Sequence, residues 1–200
     1  MDILIAGVGG QGTILVSKIL AGAALLAGGR VRTGETIGMS QRGGCVVSHV
    51  RTGPVSSPYI PPGGADLLLA LELCEGARHL PRLKTGGAAV VSTARLEPVT
   101  AALGQEAYEE KAMRAYIAAR PRARFIPAGE TARALGSEKA ANIVLLGAAF
   151  AWGLLTMDEE SLLASLAQNT PPAFAALNRA AWRAGAEAAR NAADDREVTG

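Results

Sequence analysis

Short apolar runs alternate with longer helical patterns along most of the chain. Continuous apolar runs of this kind are typical of strands in a sheet that is covered on both faces. We predict such strands at residues 2–6, 31–33, 66–70, 88–92 and 124–127. Helical patterns lie at residues 13–27, 73–83 and 105–120. Because strands that alternate with helices imply right-handed crossovers and a parallel sheet, the pattern predicts a doubly wound α/β domain.

Residues 45–51 interrupt this alternation. They are predicted to form another strand, with Val46 and Val50 spaced for one face of the sheet. No helix separates this strand from the preceding one, so we expect it to be antiparallel or to lie at an edge. The next segment, residues 53–64, is rich in proline and glycine, which predicts a surface loop.

The chain is helical after residue 137. We predict helices at residues 138–152, 158–168 and 172–190, which should cover the sheet. Residues 191–200 are polar and unpatterned, and this predicts a frayed tail. The prediction is therefore one α/β domain over residues 1–190, with a mostly parallel sheet, flanking helices and a helical C-terminal part.

A glycine-rich segment, residues 7–12, joins the first predicted strand to the first predicted helix. Its glycines fit the spacing G-x-G-x-x-G, and glycine lets a phosphate approach the N–H groups at a helix N-terminus. The spacing is weak support by itself, and a tight turn with close helix packing is the alternative interpretation. The predicted cofactor contacts in this loop are Gly7, Gly9, Gly10, Gln11 and Gly12.

Glu35 is a further predicted cofactor contact. In a domain that binds NAD, an acidic residue about 20 positions after the glycine loop binds the ribose. Glu35 lies near that position, although the sequence Gly-Glu-Thr around it predicts a loop and not a strand end.

A second glycine-rich segment follows at residues 34–44 and reads Gly-Glu-Thr-Ile-Gly-Met-Ser-Gln-Arg-Gly-Gly. Together with the first glycine loop and the strand after it, this segment resembles the gamma-type subunits of 2-oxoacid:ferredoxin oxidoreductases, and within them the indolepyruvate branch. The resemblance continues through residues 57–60, 65–70 and 142–147 and ends with Phe174 and Asn178, so it spans nearly the whole chain. Ser40 departs from the family's pattern, in which alanine is the more familiar residue at this position.

The resemblance implies that the end of this segment is a substrate or partner loop near the interface with a catalytic subunit. Its arginine could meet an acyl, carboxylate or phosphate group through its forked donors, and a solvated turn is the alternative. Both glycine-rich segments would then surround one pocket outside the carboxyl ends of the strands, beside the partner's active site or a coenzyme A phosphate. The loop residues are Met39, Ser40, Gln41, Arg42, Gly43 and Gly44.

The resemblance also implies the chemistry of the complex. A large catalytic subunit would hold thiamine diphosphate, Mg and iron–sulfur clusters, and the complex would convert an aryl 2-oxoacid and coenzyme A to an acyl-CoA while reducing ferredoxin. This chain has two cysteines, Cys45 and Cys74, and no C-x-x-C pair, which excludes an iron–sulfur cluster or a zinc site held by four thiolates of this chain alone. We therefore expect a non-redox subunit that holds no cofactor alone and contributes no catalytic residue.

Isolated side chains add little to this picture. We interpret both cysteines as small buried hydrophobes. His49 has no acid or nucleophile that would complete a triad, so a structural histidine is favoured. With His79 as the second isolated histidine, we expect no metal centre.

Composition narrows the class of protein further. The net charge of +2, the scattered arginines and the few aromatic residues argue against nucleic-acid binding. The longest apolar stretch, residues 143–157, is shorter than the roughly 20 residues of a membrane span, and the N-terminus lacks an export signal. We expect a cytoplasmic protein that is not bound to a membrane.

Two other functions stay open. An independent oxidoreductase would bind NAD or flavin through the first glycine loop and Glu35. A purely structural assembly module would bind no ligand, and substitutions in its loops would affect association before turnover.

Overall fold

A mixed sheet forms the centre of the domain in the computed structural model, which describes residues 1–38, 44–96 and 108–197, with side chains to residue 192. Within these ranges the strands are β1 (Asp2–Val8), β2 (Val31–Ile37), β3 (Cys45–Thr52), β4 (Ala65–Ala70), β5 (Leu83–Ser92) and β6 (Ala123–Ile126). Their order in the sheet is β2-β3-β1-β4-β5-β6. Strands β1, β4, β5 and β6 pair in parallel, whereas β3 is antiparallel to β1 and to β2.

The helices of the same described ranges are α1 (Thr13–Leu26), α2 (Leu73–His79), α3 (Glu110–Ala118), α4 (Ala128–Ala134), α5 (Ala141–Ala151), α6 (Glu159–Asn169) and α7 (Ala175–Glu197). Short 3-10 turns lie at Leu80–Arg82, Glu138–Ala140 and Pro172–Phe174. None of these helices is both long and apolar enough to cross a membrane.

Two apolar layers enclose the sheet because successive side chains of a strand point to opposite faces. Ile3 and Ile5 of β1 join the layer formed with α1, α4, α5, α6 and α7. Leu4 of β1 and Leu68 of β4 join the opposite layer with α2 and α3. The prediction of a doubly wound, mostly parallel α/β domain is confirmed, and so is the antiparallel pairing of the strand after the second glycine-rich segment.

Helices α5 and α7 pack unusually closely. A Cβ atom on Gly147 of α5 would overlap the backbone of Trp182, and one on Gly185 of α7 would overlap the backbone of Val144. The two helices therefore meet backbone to backbone, and the alanine-rich sequence of this region serves that close approach.

Strand β2 is longer than predicted. It runs from Val31 to Ile37, so the segment with Glu35 that was predicted to be a loop is part of the strand. The predicted strand ended at residue 33 because β2 is the outermost strand of the sheet. Most of its side chains are exposed, so its sequence lacks the apolar pattern of a buried strand.

Several other boundaries also differ from prediction. Pro81 follows α2 closely, so the helix ends at His79 and β5 begins at Leu83 instead of residue 88. Helix α4 is short and was not predicted. Helix α7 continues to Glu197, so residues 191–197 of the predicted tail are helical.

The loop at residues 53–64 is anchored to the sheet, although it lies at the surface. Ile60 is buried, its N–H donates to His49 Nδ1 at 3.2 Å, and its carbonyl accepts from Arg82 at 2.8 Å. Arg51 also donates to the carbonyl of Tyr59 at 3.1 Å. His49 therefore has the structural role that the sequence favoured.

We expect His49 to make the stability of the protein depend on pH. Burial, followed by the nearby Arg82, His79 and Arg51, lowers the pKa of His49 from 6.5 to about 4. The neutral ring is therefore favoured in the folded state, and its contribution of about 3 kcal/mol is present above pH 6.5 and lost as the pH falls towards 4. Urea unfolding of the wild type and His49→Asn across this range measures the effect. The asparagine keeps an acceptor near the Nδ1 position but does not titrate, so equal slopes for the two proteins would contradict the prediction.

Candidate functional site

The first glycine-rich segment forms a tight turn between β1 and α1. Gly10 and Gly12 have φ angles of +94° and +84°, a region that favours glycine. A Cβ atom on Gly12 would also overlap the side chain of Asn142. Gly12 is the N-cap of α1 and has no side chain that could accept from the N–H groups of the first helical turn, so these groups can bind an anion.

Side-chain and backbone hydrogen bonds hold this loop in place. Gln11 Oε1 accepts from the Val8 N–H at 2.7 Å, and Gln11 Nε2 donates to the Leu71 carbonyl at 3.1 Å. The Gly9 N–H donates to the carbonyl of Gly44 at 2.9 Å. The loop is thus joined to the end of β4 on one side and to the residue before β3 on the other.

A cleft of about 370 Å³ lies beside the glycine loop. It is found where parallel strands end, which is where ligands bind in open α/β sheets. Its lining comes from segments that follow four strands, with Gly9 after β1, Leu71 after β4, Ala94 after β5 and Gly129 after β6.

Positive charge dominates the lining of this cleft. Among the residues that the structure describes, the lining carries one carboxylate, Glu138, and three basic side chains, Arg95, Arg133 and Lys139. Arg133 Nε lies 3.7 Å from Glu138 Oε1, but both side chains are mostly exposed, so this ion pair contributes little stability. The cationic side chains and the N-terminus of α1 therefore favour an anionic ligand.

Asn142, at the start of α5, is the most deeply buried polar side chain in the lining. It is 3% exposed, and its Oδ1 atom accepts no hydrogen bond from any residue that the structure describes. Its Nδ2 atom lies 3.5 Å from the Gly12 carbonyl, which is a long hydrogen bond. A buried amide oxygen without a donor is costly, so a ligand donor or water at this point would stabilise the site.

One wall of the cleft depends on a buried carboxylate, Glu72. Its Oε2 atom accepts from the Glu75 N–H at 2.9 Å and caps α2, and its Oε1 atom accepts from the Tyr108 hydroxyl at 2.7 Å and the Leu96 N–H at 3.3 Å. Burial, followed by the hydrogen bond to Glu72, raises the pKa of Tyr108 far above its usual value. The segment that follows β5 is thereby held against α2.

The structure brings only some of the predicted site residues together. Gly9, Gly10 and Gln11 line the cleft, and Gly7 and Gly12 shape the turn. Gly44 contacts Gly9 through its carbonyl. The other predicted loop residues, Met39, Ser40, Gln41, Arg42 and Gly43, lie outside the described residues.

Glu35 is not brought to the cleft. It lies on β2, level with Ile5 of β1 but two strands away, and its Oε1 accepts from the Ser17 hydroxyl at 3.4 Å. The reason is topological, because β3 lies between β2 and β1, whereas a dinucleotide-binding domain pairs its first two strands directly. This geometry does not support the predicted contact of Glu35 with a ribose.

The basic side chains of the cleft were not found from the sequence. They follow β5 and β6 or lie near the start of α5, and a single sequence offers no spacing rule that joins them to the glycine loop. The signal that was present is positional, since Ala94–Arg95 and Arg133 come shortly after predicted strands.

A second polar cluster contains Cys45, Glu75 and His79. Cys45 Sγ lies 3.5 Å from His79 Nε2, and His79 Nε2 lies 3.4 Å from Glu75 Oε2. Cys45 is therefore half-buried beside polar side chains, which differs from its interpretation as a small buried hydrophobe. Burial, followed by the Glu75 carboxylate, raises the pKa of the Cys45 thiol to about 12, so it is protonated near neutral pH and is a poor nucleophile.

Comparison with known proteins gives consistent results. The sequence profile described as pyruvate ferredoxin/flavodoxin oxidoreductase matches residues 2–188. The indolepyruvate oxidoreductase subunit IorB of Archaeoglobus fulgidus is 35% identical over 187 residues, which cover 92% of this chain and 93% of that protein.

Solved structures show the same fold. The gamma subunit of a keto/oxoacid ferredoxin oxidoreductase from Geobacter sulfurreducens is 30% identical and superposes with a TM-score of 0.69, covering 96% of this chain and 99% of that one. A 2-oxoglutarate:ferredoxin oxidoreductase from Magnetococcus marinus is 24% identical with a TM-score of 0.72 and covers 96% of this chain and 31% of that one, a likeness of fold alone.

Proposed function

This chain belongs to the pyruvate ferredoxin/flavodoxin oxidoreductase family, and on that premise we propose that it is the small, non-redox subunit of an indolepyruvate-type 2-oxoacid:ferredoxin oxidoreductase. The complex would oxidatively decarboxylate an aryl 2-oxoacid in the presence of coenzyme A, form the acyl-CoA and reduce ferredoxin. Support for the aryl substrate comes from relatives named as indolepyruvate oxidoreductase subunits, which match this chain over nearly its whole length.

The redox cofactors would lie on a large catalytic subunit. A four-thiolate iron–sulfur cluster needs four cysteines, and this chain has two. The clusters are therefore proposed for the partner, together with the thiamine diphosphate and Mg that the resemblance places there. The residues of this chain would bind, orient and shield a reactant and not exchange electrons.

The cationic cleft is the observation that supports a binding role. A phosphate of coenzyme A would lie near the N-terminus of α1, with Arg133 and Lys139 neutralising its charge. Asn142 would use its unpaired Oδ1 to fix a donor group of the same molecule. The cleft would in this way hold the co-substrate beside the partner's active site.

The position of Glu35 argues against the independent NAD-dependent oxidoreductase, because that function needs an acidic side chain near the glycine loop. If the chain were a purely structural assembly module, the basic side chains of the cleft and the unpaired Oδ1 of Asn142 would have no role. These two functions are outcomes that the following experiment distinguishes.

We expect the tagged chain, co-expressed with the large subunit and purified without oxygen, to yield a brown complex that reduces ferredoxin with indolepyruvate and coenzyme A. Neither the chain nor the large subunit alone should turn over, and pyruvate and 2-oxoglutarate serve as comparison substrates. A colourless, partner-free protein that binds NAD or flavin would overturn the proposal. A brown complex that prefers pyruvate would keep the subunit role and reject the aryl substrate.

A further inference from the structure

From the geometry of Cys45, Glu75 and His79 we propose, in contrast to the sequence expectation of no metal centre, that they form a binding site for a single Zn²⁺ ion. The three residues meet where β3 begins beside α2. Glu75 and His79 are four residues apart on α2, so they lie one turn apart on the same face of the helix. Cys45 is the first residue of β3 and packs against the apolar layer that also contains α2.

Two of the three separations between the donor atoms match a tetrahedral zinc site. With Zn–N and Zn–O distances near 2.1 Å and Zn–S near 2.3 Å, tetrahedral ligand atoms lie about 3.4 to 3.6 Å apart. The observed separations are 3.5 Å between Cys45 Sγ and His79 Nε2 and 3.4 Å between His79 Nε2 and Glu75 Oε2. All three donor atoms lie within 4.8 Å of one another, so they surround a common point.

Hydrogen bonding alone leaves this cluster incompletely satisfied. One ring nitrogen, His79 Nε2, faces both the thiol and the carboxylate, although it carries only one proton or one lone pair. Glu75 is 6% exposed, and its Oε2 atom accepts no well-formed hydrogen bond from the residues that the structure describes. A metal ion at the common point would displace the Cys45 thiol proton to solvent and bind the thiolate sulfur, the imidazole nitrogen and the carboxylate oxygen together.

The second carboxylate oxygen has a separate partner. Arg78 Nε lies 3.3 Å from Glu75 Oε1, which leaves Oε2 to point at Cys45 and His79. This arrangement fixes the orientation of the carboxylate, as outer-sphere partners do for metal ligands. Sulfur, imidazole and carboxylate donors together favour zinc over the hard cations Mg²⁺ and Ca²⁺.

The site has an open side. The His79 side chain is 16% exposed and Cys45 is half-buried, so the ion can enter and take water as a fourth ligand. Zinc at this point would link β3 to α2 one residue from Gly44, whose carbonyl accepts from the Gly9 N–H of the glycine loop. The proposal concerns metal binding by the full chain and does not depend on the activity of the complex.

Cobalt titration of the full chain, freed of metal with a chelator, tests the proposal. The wild type is expected to bind one equivalent of Co²⁺, with the intense visible bands of tetrahedral cobalt and a thiolate-to-cobalt charge-transfer band, and stoichiometric Zn²⁺ should abolish both. Zinc should also raise the melting temperature, because it binds only the folded chain. Absence of the charge-transfer band in the wild type would mean that the cluster is only a hydrogen-bonded network and would overturn the proposal.

Single variants assign the ligands. Cys45→Ser should abolish the charge-transfer band, and His79→Gln should weaken Co²⁺ binding by more than about 100-fold, beyond what loss of an outer-sphere partner costs. Cys74→Ser is the matched control, since Cys74 is the other half-buried cysteine and lies beside Glu75 without belonging to the trio. Loss of the band in Cys74→Ser, or its survival in Cys45→Ser, would contradict the assignment. Circular dichroism checks folding, and should Cys45→Ser not fold, His79→Gln and Cys74→Ser still decide the outcome.

Discussion

Gly147→Ala is expected to lower the free energy of unfolding by about 3 kcal/mol, because the new Cβ atom would overlap the Trp182 backbone where α5 meets α7. Flexible side chains could move aside, but here the obstacle is main chain, so α7 itself must shift. Alanine in place of glycine normally stabilises a helix by about 1 kcal/mol, so the predicted sign is opposite to the propensity effect. For a chain of this length, the loss corresponds to a fall of roughly 6–12 °C in melting temperature.

Gly129→Ala is the matched control for this prediction. Gly129 is also helical, in α4, but a Cβ atom there would meet its nearest neighbours at 3.7 to 3.9 Å, which is ordinary contact. We expect this variant to be neutral or slightly stabilised in thermal and urea unfolding. Equal stability of Gly147→Ala and Gly129→Ala would show that α5 and α7 are not in backbone contact.

The second large effect is expected in the cleft. In the reconstituted complex, the double variant Arg133→Ala/Lys139→Ala should raise the KM for coenzyme A about 10- to 100-fold, since a charge-assisted hydrogen bond contributes about 1.5–3 kcal/mol and these side chains are exposed. The value of kcat should change little, because contacts to a remote phosphate are equal in the ground state and the transition state. The KM difference should shrink at high ionic strength, where exposed charges are screened.

Arg183→Ala is the control for this experiment, because Arg183 is an exposed arginine on α7 that is absent from the cleft lining. Its KM for coenzyme A should equal that of the wild type. An unchanged KM in the double variant, with the complex intact, would mean that coenzyme A does not use this cleft. Loss of the complex itself would instead favour the assembly role.

The sequence predicted the central strands because they are buried on both faces. Residues 2–6 and 66–70 are continuous apolar runs, and the structure places them side by side as β1 and β4. β2 was underestimated because an edge strand with exposed side chains carries no such run. The beginning of β5 was missed because Gly86 and Gly87 suggest a turn, whereas the strand passes through them with an irregular register.

The candidate site was predictable only in part. The glycine loop was recognised because its strand, turn and helix are contiguous in the chain. The cleft's arginines and lysine come from separate segments of the chain, and Cys45 of β3 is far in sequence from Glu75 and His79, which share α2. The strand order brings the cleft segments together, and the pairing of β3 with β1 brings Cys45 to α2; periodicity along the chain carries no information about that order.

The double hydrogen bond of Gln11 has a consequence for how a ligand would bind. Its side-chain amide bridges the ends of β1 and β4 in place of a direct backbone hydrogen bond. Its Oε1 accepts from the Val8 N–H, and its Nε2 donates to the Leu71 carbonyl. The turn is therefore preorganised when the protein folds, and an anion that binds there does not have to order the loop. Binding should lose little free energy to conformational ordering, and its rate should be limited by diffusion into the cleft and not by rearrangement of the turn.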